Sequence, residues 1–299
     1  MAVTNSSPIL SSVHSGLYKI SPHPAAAAPH DDTLDNVISL PLLLVLVGLL
    51  GLAVGSFLNV VIYRVPRGES LVRPGSRCPS CGTPIRPRHN VPVVGWLVLR
   101  GRCASCGSAI SARYPLVEFS TAVLFVLVAW RLWDLSLASA IPAYLYFTAV
   151  GLALAVIDLE HRRLPTAIVA PSYPVLAVLL GASAVWRHDG WSFLRAILAG
   201  AALFAFFFVV AFIYPAGMGF GDVRLAGLVG GVLGYLSWSA LVLGSFGGFL
   251  LGAVVGVALI ALGRGGRRTA VPFGPFMVAG ALVTLFLPAT DLIGAIWSP

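Results

Sequence analysis

The chain has 299 residues, of which 58% are hydrophobic and only 10% are charged. Because soluble domains carry about 25% charged residues, this composition excludes an ordinary soluble domain and predicts an all-α polytopic membrane protein. The net charge of +8 invites a nucleic-acid interpretation. However, no RNA-binding or DNA-binding module is recognisable, so we expect no nucleic-acid partner.

Apolar runs of about 17 to 25 residues are long enough to cross a bilayer, and they predict about eight transmembrane helices. Only Ser237, Trp238 and Ser239 interrupt the apolar stretch between the sixth and seventh spans, so six or seven helices are the alternatives. The predicted spans are 38–63, 116–133, 138–157, 166–186, 193–214, 223–241, 242–262 and 271–297.

The basic residues are distributed unevenly across the predicted membrane. With eight helices and an external N-terminus, 15 of the 19 lysines and arginines fall on one side, and nine of them lie between the first two spans. Cytoplasmic loops carry an excess of lysine and arginine. The sequence therefore predicts a protein of the cytoplasmic membrane whose first loop faces the cytoplasm.

The predicted spans divide the chain into four parts. Residues 1–37 are polar and rich in Pro, Ala and Ser, and they predict a disordered extracytoplasmic tail rather than a removable signal peptide. The first transmembrane helix, 38–63, is followed by a proline-rich cytoplasmic insert, 64–115, in which we expect short strands and turns stapled by a metal. Residues 116–299 form the multi-helix membrane domain, which carries the candidate catalytic acids.

Glycines recur at every fourth residue in several spans. Small residues at this spacing form a flat stripe that lets a second helix approach closely. Helix–helix packing is the favoured interpretation, and a groove for a passing substrate helix is the alternative. The stripes are Gly51 and Gly55, Gly227 and Gly231, and Gly244, Gly248, Gly252 and Gly256.

All four cysteines lie in the insert, in two Cys-x-x-Cys pairs that are 21 residues apart. Each pair is followed by a glycine, Gly82 or Gly107, which suits a tight turn. Two such pairs around one tetrahedral ion are typical of a zinc ribbon, whereas two disulfides would conflict with the reducing cytoplasm. A four-cysteine site has no open coordination position, so we expect Zn²⁺ in a structural role. The predicted ligands are Cys78, Cys81, Cys103 and Cys106.

Two acids stand at the mouths of apolar helices. Asp158 ends the third predicted span and Asp222 begins the sixth. A carboxylate within a membrane segment costs about 3 kcal/mol on insertion scales and usually marks a functional site. Because the two spans run antiparallel, both acids lie at the same depth and can meet. Two carboxyl groups a few ångströms apart share a proton, so one can activate a water while the other protonates a leaving amine.

Three other interpretations fit parts of this pattern. Taken alone, residues 219–222 (Gly-Phe-Gly-Asp) could form a loop turn with a solvated aspartate that caps a helix. A proton-coupled transporter would use paired acids as a relay, although transporter sites usually lie near the bilayer midplane. A membrane scaffold that recruits partners through a zinc ribbon would leave the acid pair unexplained.

Five stretches, in the same order, resemble the type IV prepilin leader peptidases, which are Gly-x-Gly-Asp membrane aspartyl proteases. Residues 218–225 (MGFGDVRL) are similar to the family signature around its second acid, and Asp158 followed by Leu164 and Pro165 matches the segment around its first acid. The other stretches are residues 55–66 (GSFLNVVIYRVP), the two-pair cysteine loop, and residues 113–118 (RYPLVE).

The resemblance implies an integral-membrane aspartic endopeptidase with Asp158 and Asp222 as its catalytic pair. Its substrates would be type IV prepilin or pseudopilin precursors, whose short basic leader is cleaved at the cytoplasmic membrane face before assembly into pili or type II secretion pseudopili. Many members also N-methylate the new N-terminus with S-adenosylmethionine, and this activity is expected from the resemblance alone. The lipid bilayer is the other expected partner, and a homo-oligomer is left open.

Five further residues are candidates for shaping the site. Gly219 and Gly221 let a substrate backbone lie close to the acid, and Arg224 keeps a positive charge where the family usually has lysine. Glu118 either positions a substrate amine or pairs with an arginine of the insert, and the pairing is favoured. Asn59 either binds a substrate backbone or makes an interhelical contact, and the contact is favoured.

Overall fold

The computed structural model describes residues 39–73, 75–215, 218–263 and 272–287. Within these residues the membrane part of the chain is helical, as predicted, and no named strand is present. The predicted tail, 1–37, and the end of the last predicted span, 288–297, lie outside the described residues.

The described fold contains eight apolar α-helices and one short α-helix in the insert. One-turn 3₁₀ helices stand at Val65–Arg67, Pro87–His89 and Ala138–Ala140. The α-helices are α1 (Leu40–Arg64), α2 (Val94–Val98), α3 (Arg113–Asp134), α4 (Ile141–His161), α5 (Thr166–Trp186), α6 (Gly190–Ile213), α7 (Phe220–Leu236), α8 (Trp238–Ala261) and α9 (Gly274–Thr284).

Six of these helices are long and apolar enough to cross a membrane, namely α1, α3, α4, α5, α6 and α8. In the part of the chain that the structure describes, α7 has 17 residues and α9 has 11. The polytopic all-α architecture is therefore confirmed, whereas the predicted count of eight transmembrane helices is not confirmed.

The boundary between the sixth and seventh predicted spans differs from the prediction. The sixth span was expected to run over 223–241, but α7 ends at Leu236. Ser237 takes an extended conformation, and its hydroxyl accepts a hydrogen bond of 2.9 Å from the Ala240 amide. Serine is a favoured N-cap residue because it satisfies an amide at the start of a helix, so α8 begins at once.

Helix α4 lies at the centre of the bundle. In its most apolar window 72% of the residues are buried, compared with 11% for α8. It packs against α1, α3, α5 and α9. Because Asp158 stands in the last turn of this helix, the most enclosed element of the fold carries the first candidate acid.

The glycine stripes bring pairs of helices into backbone contact. A Cβ added at Gly55 in α1 would lie 2.7 Å from the Glu118 Cα in α3, and one at Gly248 in α8 would lie 3.1 Å from the Phe276 carbonyl oxygen in α9. These distances leave no room for a side chain, so helix–helix packing is confirmed at both positions. A Cβ at Gly256 would meet no atom within 4 Å.

The insert between α1 and α3 consists of turns and short helices. The expected short strands are reduced to two isolated β-bridges, Arg77 with Pro84 and Arg102 with Ala109. Each bridge closes a turn of only a few residues, which is too short for a ladder. The Arg64 guanidinium, at the end of α1, donates to the Ser70 carbonyl oxygen at 2.9 Å and fastens the start of the insert to the membrane helix.

Candidate active site and metal centre

Asp158 is buried in the last turn of α4, where it accepts a hydrogen bond. Its side chain is 6% exposed, and its Oδ2 accepts from the Gly274 amide at 3.1 Å. Gly274 is the first residue of α9, and amides at a helix N-terminus attract negative charge. A Cβ at this position would lie 2.9 Å from the same oxygen. A side chain here would therefore force the carboxylate or the start of α9 to shift, and the Gly274 amide orients the carboxylate.

Asp222 stands in the first turn of α7 and is half-buried. Its amide donates to the carbonyl oxygen of Gly219, which precedes the helix in an extended conformation. The two candidate acids are close enough that Asp158 exerts a direct Coulombic effect on Asp222. The antiparallel placement expected from the sequence thus brings the acids to one end of the bundle.

Leu164 lies between the segments that carry the two acids. A Cβ at Gly221 would be 2.9 Å from the Leu164 Cβ, and a Cβ at Gly274 would be 3.3 Å from its Cδ2. The turn after α4 therefore packs against the starts of both α7 and α9. Gly221 serves this close packing as well as the backbone freedom expected from the sequence.

Arg224 contacts the helix that follows the first acid. It donates to the Thr166 hydroxyl, and its guanidinium lies 4.6 Å from the centre of the Phe220 ring. Its own carbonyl oxygen accepts from the Tyr173 hydroxyl at 2.6 Å. In the described structure Arg224, two residues after Asp222, thus ties the start of α7 to α5.

Glu118 binds the insert through a backbone amide. Its Oε2 accepts from the Val93 amide at 2.7 Å, and it joins no ion pair with a residue in the described ranges. This backbone contact differs from the pairing with an arginine of the insert that was favoured from the sequence, and that pairing stays a prediction. Val93 has a φ of 61°, which a β-branched residue rarely adopts. The Glu118 carboxylate thus links α3 to this turn of the insert.

Asn59 makes the interhelical contact that was favoured from the sequence. Its Nδ2 donates to the Tyr114 carbonyl oxygen at 3.1 Å, which links α1 to the start of α3. Its buried Oδ1 has no hydrogen-bond partner among the described residues. An ion pair between Arg113 and Glu160, with an N–O distance of 2.6 Å, connects this junction to the end of α4.

Sequence reasoning missed Gly274 as a residue of the site. The sequence does indicate that a helix begins near Gly274, because residues 272–275 (PFGP) form a short helix-start pattern. Nothing in that pattern, however, says which side chain the helix N-terminus faces. Only the packing of α9 against α4 reveals the contact.

The four cysteines form one cluster in the insert. Their sulfur atoms all lie within 4.8 Å of one another, and the Sγ atoms of Cys78 and Cys106 are 3.9 Å apart. Ligand sulfurs around a tetrahedral zinc ion, at about 2.3 Å from the metal, are about 3.8 Å apart. The cluster can therefore hold a metal ion of this kind.

The two cysteine turns have the same local geometry. The Gly82 and Gly107 amides donate to the Cys78 and Cys103 carbonyl oxygens, both at 2.9 Å, and the two glycines have φ values of 70° and 71°. Such left-handed φ values favour glycine. Backbone hydrogen bonding from Cys81, followed by the Ser108 hydroxyl, lowers the pKa of Cys78 to about 6. A lowered thiol pKa favours the thiolate that binds metal.

The fold and site together define a polytopic membrane protein with two acids at one end of its bundle and a four-cysteine insert. Residues 49–132 match a family model described as the bacterial peptidase A24 N-terminal domain. Residues 145–257 match the type IV leader peptidase family. The chain belongs to the type IV leader peptidase family.

Curated relatives cover nearly the whole chain. A Pseudomonas aeruginosa protein is 36% identical over 84% of this chain and 93% of its own length. A Dichelobacter nodosus protein is 37% identical over 85% of this chain and 95% of its own length. A Myxococcus xanthus protein is 39% identical over 77% of this chain and 67% of its own length. All three are named prepilin leader peptidase/N-methyltransferase. No solved structure matches the chain significantly.

Proposed function

We propose that this protein is an aspartic endopeptidase that removes the basic leader of type IV prepilin or pseudopilin precursors at the cytoplasmic face of the inner membrane. The observation that carries the proposal is that Asp158 and Asp222 lie at the same end of the bundle, where Leu164 packs against both Gly221 and Gly274. Membership of the family supports the same activity. In this proposal the two aspartates are the catalytic pair.

The proposed chemistry needs only the two carboxyl groups and a water molecule. The ionised carboxylate takes a proton from the water, whose oxygen attacks the scissile carbonyl carbon. The protonated carboxyl donates its proton to the carbonyl oxygen. As the tetrahedral intermediate collapses, the carboxyl that holds the water proton passes it to the leaving amine, and the other carboxylate takes back the proton of the intermediate's hydroxyl. The Gly274 amide keeps the Asp158 carboxylate oriented during these steps.

The position of the acids favours a peptidase over a proton relay. Asp158 stands in the last turn of α4 and Asp222 in the first turn of α7. Transporter sites usually lie near the bilayer midplane on broken helices. The leader of a membrane-anchored precursor would instead reach the acids from the aqueous side, where the positive-inside distribution puts the cytoplasm.

We propose Zn²⁺ as the ion of the cysteine cluster, with Cys78, Cys81, Cys103 and Cys106 as its ligands. Four sulfur atoms within 4.8 Å of one another suit its tetrahedral preference. The ion would staple an insert that has no strand ladder of its own in the described residues. It would have no open position for catalysis, so its role would be structural.

The names of the relatives also support an N-methyltransferase activity. We propose that it methylates the new N-terminus and that S-adenosylmethionine, which is expected from the family resemblance alone, is the methyl donor. In the described part of residues 64–115 the structure has turns, one short helix and two isolated bridges. It has no strand–turn–helix unit there that would cradle a nucleotide. The insert as described does not fit such a cofactor, so we derive no step through it.

The experiment that tests the peptidase proposal is co-expression with a precursor that carries a short basic leader before an apolar helix. Mass spectrometry of the mature N-terminus reports both cleavage and an added methyl group. We expect a shortened, methylated product. An intact precursor, in cells where both proteins are inserted in the membrane, would overturn the proposal.

A further inference from the structure

A cavity of about 290 Å³ lies at the end of the bundle opposite the two aspartates. Leu236, the last residue of α7, lines it, whereas Asp222 stands in the first turn of the same helix. The separation of 14 positions between them corresponds to about 21 Å of α-helix. The cavity is therefore separate from the candidate active site and has no role in the proposed cleavage.

Three arginines line this cavity together with one acid, Asp189. Arg131 comes from the end of α3, Arg187 follows α5, and Arg195 lies in the first turns of α6. These lining groups carry a net charge of about +2. A concave site with this excess of guanidinium groups suits an anion, and above all a phosphate group, whose oxygens accept several N–H donors at once.

Two of the arginines are fixed in place by the ends of helices. Arg195 donates to the Gly234 and Tyr235 carbonyl oxygens, at 2.6 and 2.7 Å, and so caps the C-terminus of α7. Arg131 donates from Nε to the Leu285 carbonyl oxygen at 2.7 Å, just after α9, and its Nη1 forms an ion pair with Asp134. A guanidinium has five N–H donors, so each keeps donors in addition to those that hold it.

The third arginine of the cavity, Arg187, has a different environment. It is half-buried, and it makes no hydrogen bond or ion pair with any residue in the described ranges. Its charge repels that of Arg195 and attracts that of Asp189. A half-buried cation beside a second cation is unfavourable unless an anion lies near both.

Asp189 is such an anion, since its charge attracts both Arg187 and Arg195, but one carboxylate offsets only one of these two charges. It is the N-cap of α6, where Oδ1 accepts from the Ser192 amide at 3.1 Å and Oδ2 accepts from the Ser192 hydroxyl. The hydroxyl hydrogen bond is the main reason why the pKa of Asp189 is lowered. Its carboxylate is thus oriented towards the helix amides.

Exposed tryptophans stand next to four of the segments that line the cavity. Trp130 precedes Arg131 and Trp186 precedes Arg187 in the chain. Tryptophan is enriched at membrane–water interfaces, at the level of the lipid headgroups. The four, which are 45–58% exposed, are Trp130, Trp186, Trp191 and Trp238. The cavity therefore lies at the depth at which a bilayer presents its phosphate groups.

We propose that this cavity binds an anionic group that contains phosphate. The source of this group is the headgroup of an anionic phospholipid, at the membrane edge opposite the aspartates. Arg131 and Arg195 would provide fixed donors, and Arg187 would close on the phosphate. The bound headgroup would connect the ends of α3, α5, α7 and α9, which meet at the cavity.

Native mass spectrometry of the purified full-length protein tests this proposal. The protein is titrated with phosphatidylglycerol or with phosphatidylcholine, and separately with inorganic phosphate, and bound adducts are counted. The test variant is Arg187→Gln, which loses no hydrogen bond or ion pair among the described residues. Arg163→Gln is the matched control, since it removes one charge from an exposed arginine at the other end of the bundle. Arg187→Lys keeps the charge.

We expect phosphatidylglycerol to bind the wild type and Arg163→Gln equally. Binding to Arg187→Gln should be about tenfold weaker or more, as for the loss of one charge-assisted hydrogen bond, and Arg187→Lys should be intermediate. The same pattern with inorganic phosphate but not with the lipid would support the site and assign it a soluble ligand. Absence of binding, equal binding of both lipids, or equal weakening in Arg163→Gln would overturn the proposal.

Discussion

The candidate active site and the cysteine cluster are built in opposite ways. The cluster comes from two short turns with the same hydrogen bonds, both within residues 77–109. The candidate active site joins segments that are far apart in the chain: Asp158 accepts from Gly274, 116 residues away, and interacts with Asp222 on a third helix. The metal centre is therefore a local structure, whereas the acid pair depends on the packing of the whole bundle.

This difference predicts how each region responds to substitution. A ligand lost from a local turn should release the metal and loosen the insert, because little else holds those residues. An isosteric change at an acid should stop the chemistry and leave the fold intact, because the helices pack through other side chains.

The largest expected effect follows from changing either acid. Asp158→Asn or Asp222→Asn should reduce cleavage about a thousandfold or more, because neither variant can share the catalytic proton. The rate of appearance of the mature N-terminus, measured with purified protein, checks this. Cleavage within tenfold of the wild type, by either correctly inserted variant, would contradict the dyad.

A smaller loss of activity should follow Gly274→Ala. The new Cβ would lie 2.9 Å from the Asp158 carboxylate oxygen, so the acid or the start of α9 must shift, and we expect cleavage to slow by about ten- to a hundredfold. Gly256→Ala is the control, since its Cβ meets no atom within 4 Å. Equal rates for the two variants would show that the Gly274 contact does not position the acid.

Loss of a cysteine ligand should affect metal content more than cleavage. Cys78→Ser or Cys103→Ser should lower bound zinc from about one ion per chain to near zero, increase proteolysis of the insert and leave residual cleavage. Elemental analysis and limited proteolysis measure these effects, and Ser80→Ala in the same turn serves as the control. Cleavage lost as completely as in the aspartate variants would mean that the two regions are not separable.

The smallest effect is expected where the two regions are linked. Arg113 at the end of the insert pairs with Glu160, two residues after Asp158, and both side chains are partly exposed. Such a pair contributes about 0.5 kcal/mol at most after solvent screening. Glu160→Gln should therefore slow cleavage no more than about threefold and leave bound zinc unchanged. A tenfold loss would reveal tighter coupling between insert and acids.

The sequence predicted best what depends on local pattern. The helices follow from apolar length, and the cysteine cluster follows from the repeated Cys-x-x-Cys-Gly spacing. Antiparallel topology alone predicts that the two acids lie at the same end of the helix bundle. For these features, the residues that define the pattern are also the ones that make the contacts.

The features that sequence reasoning missed depend on packing between distant segments. The partner of Asp158 is a backbone amide of α9, and the partner of Glu118 is a backbone amide in a strained turn. Backbone groups are the same at every residue, so side-chain patterns cannot identify them. Ser237 was recognised as an interruption, but its capping bond to Ala240, which places the helix boundary, was not.

The proposal that the two acids act as one unit is tested most directly by the double variant Asp158→Asn/Asp222→Asn. Its rate of precursor cleavage is compared with the rates of both single variants in the same membrane preparation. Groups that share one proton are non-additive, so we predict that the double variant is no slower than the slower single variant. Losses that multiply would show that Asp158 and Asp222 act independently, and would contradict a shared catalytic pair.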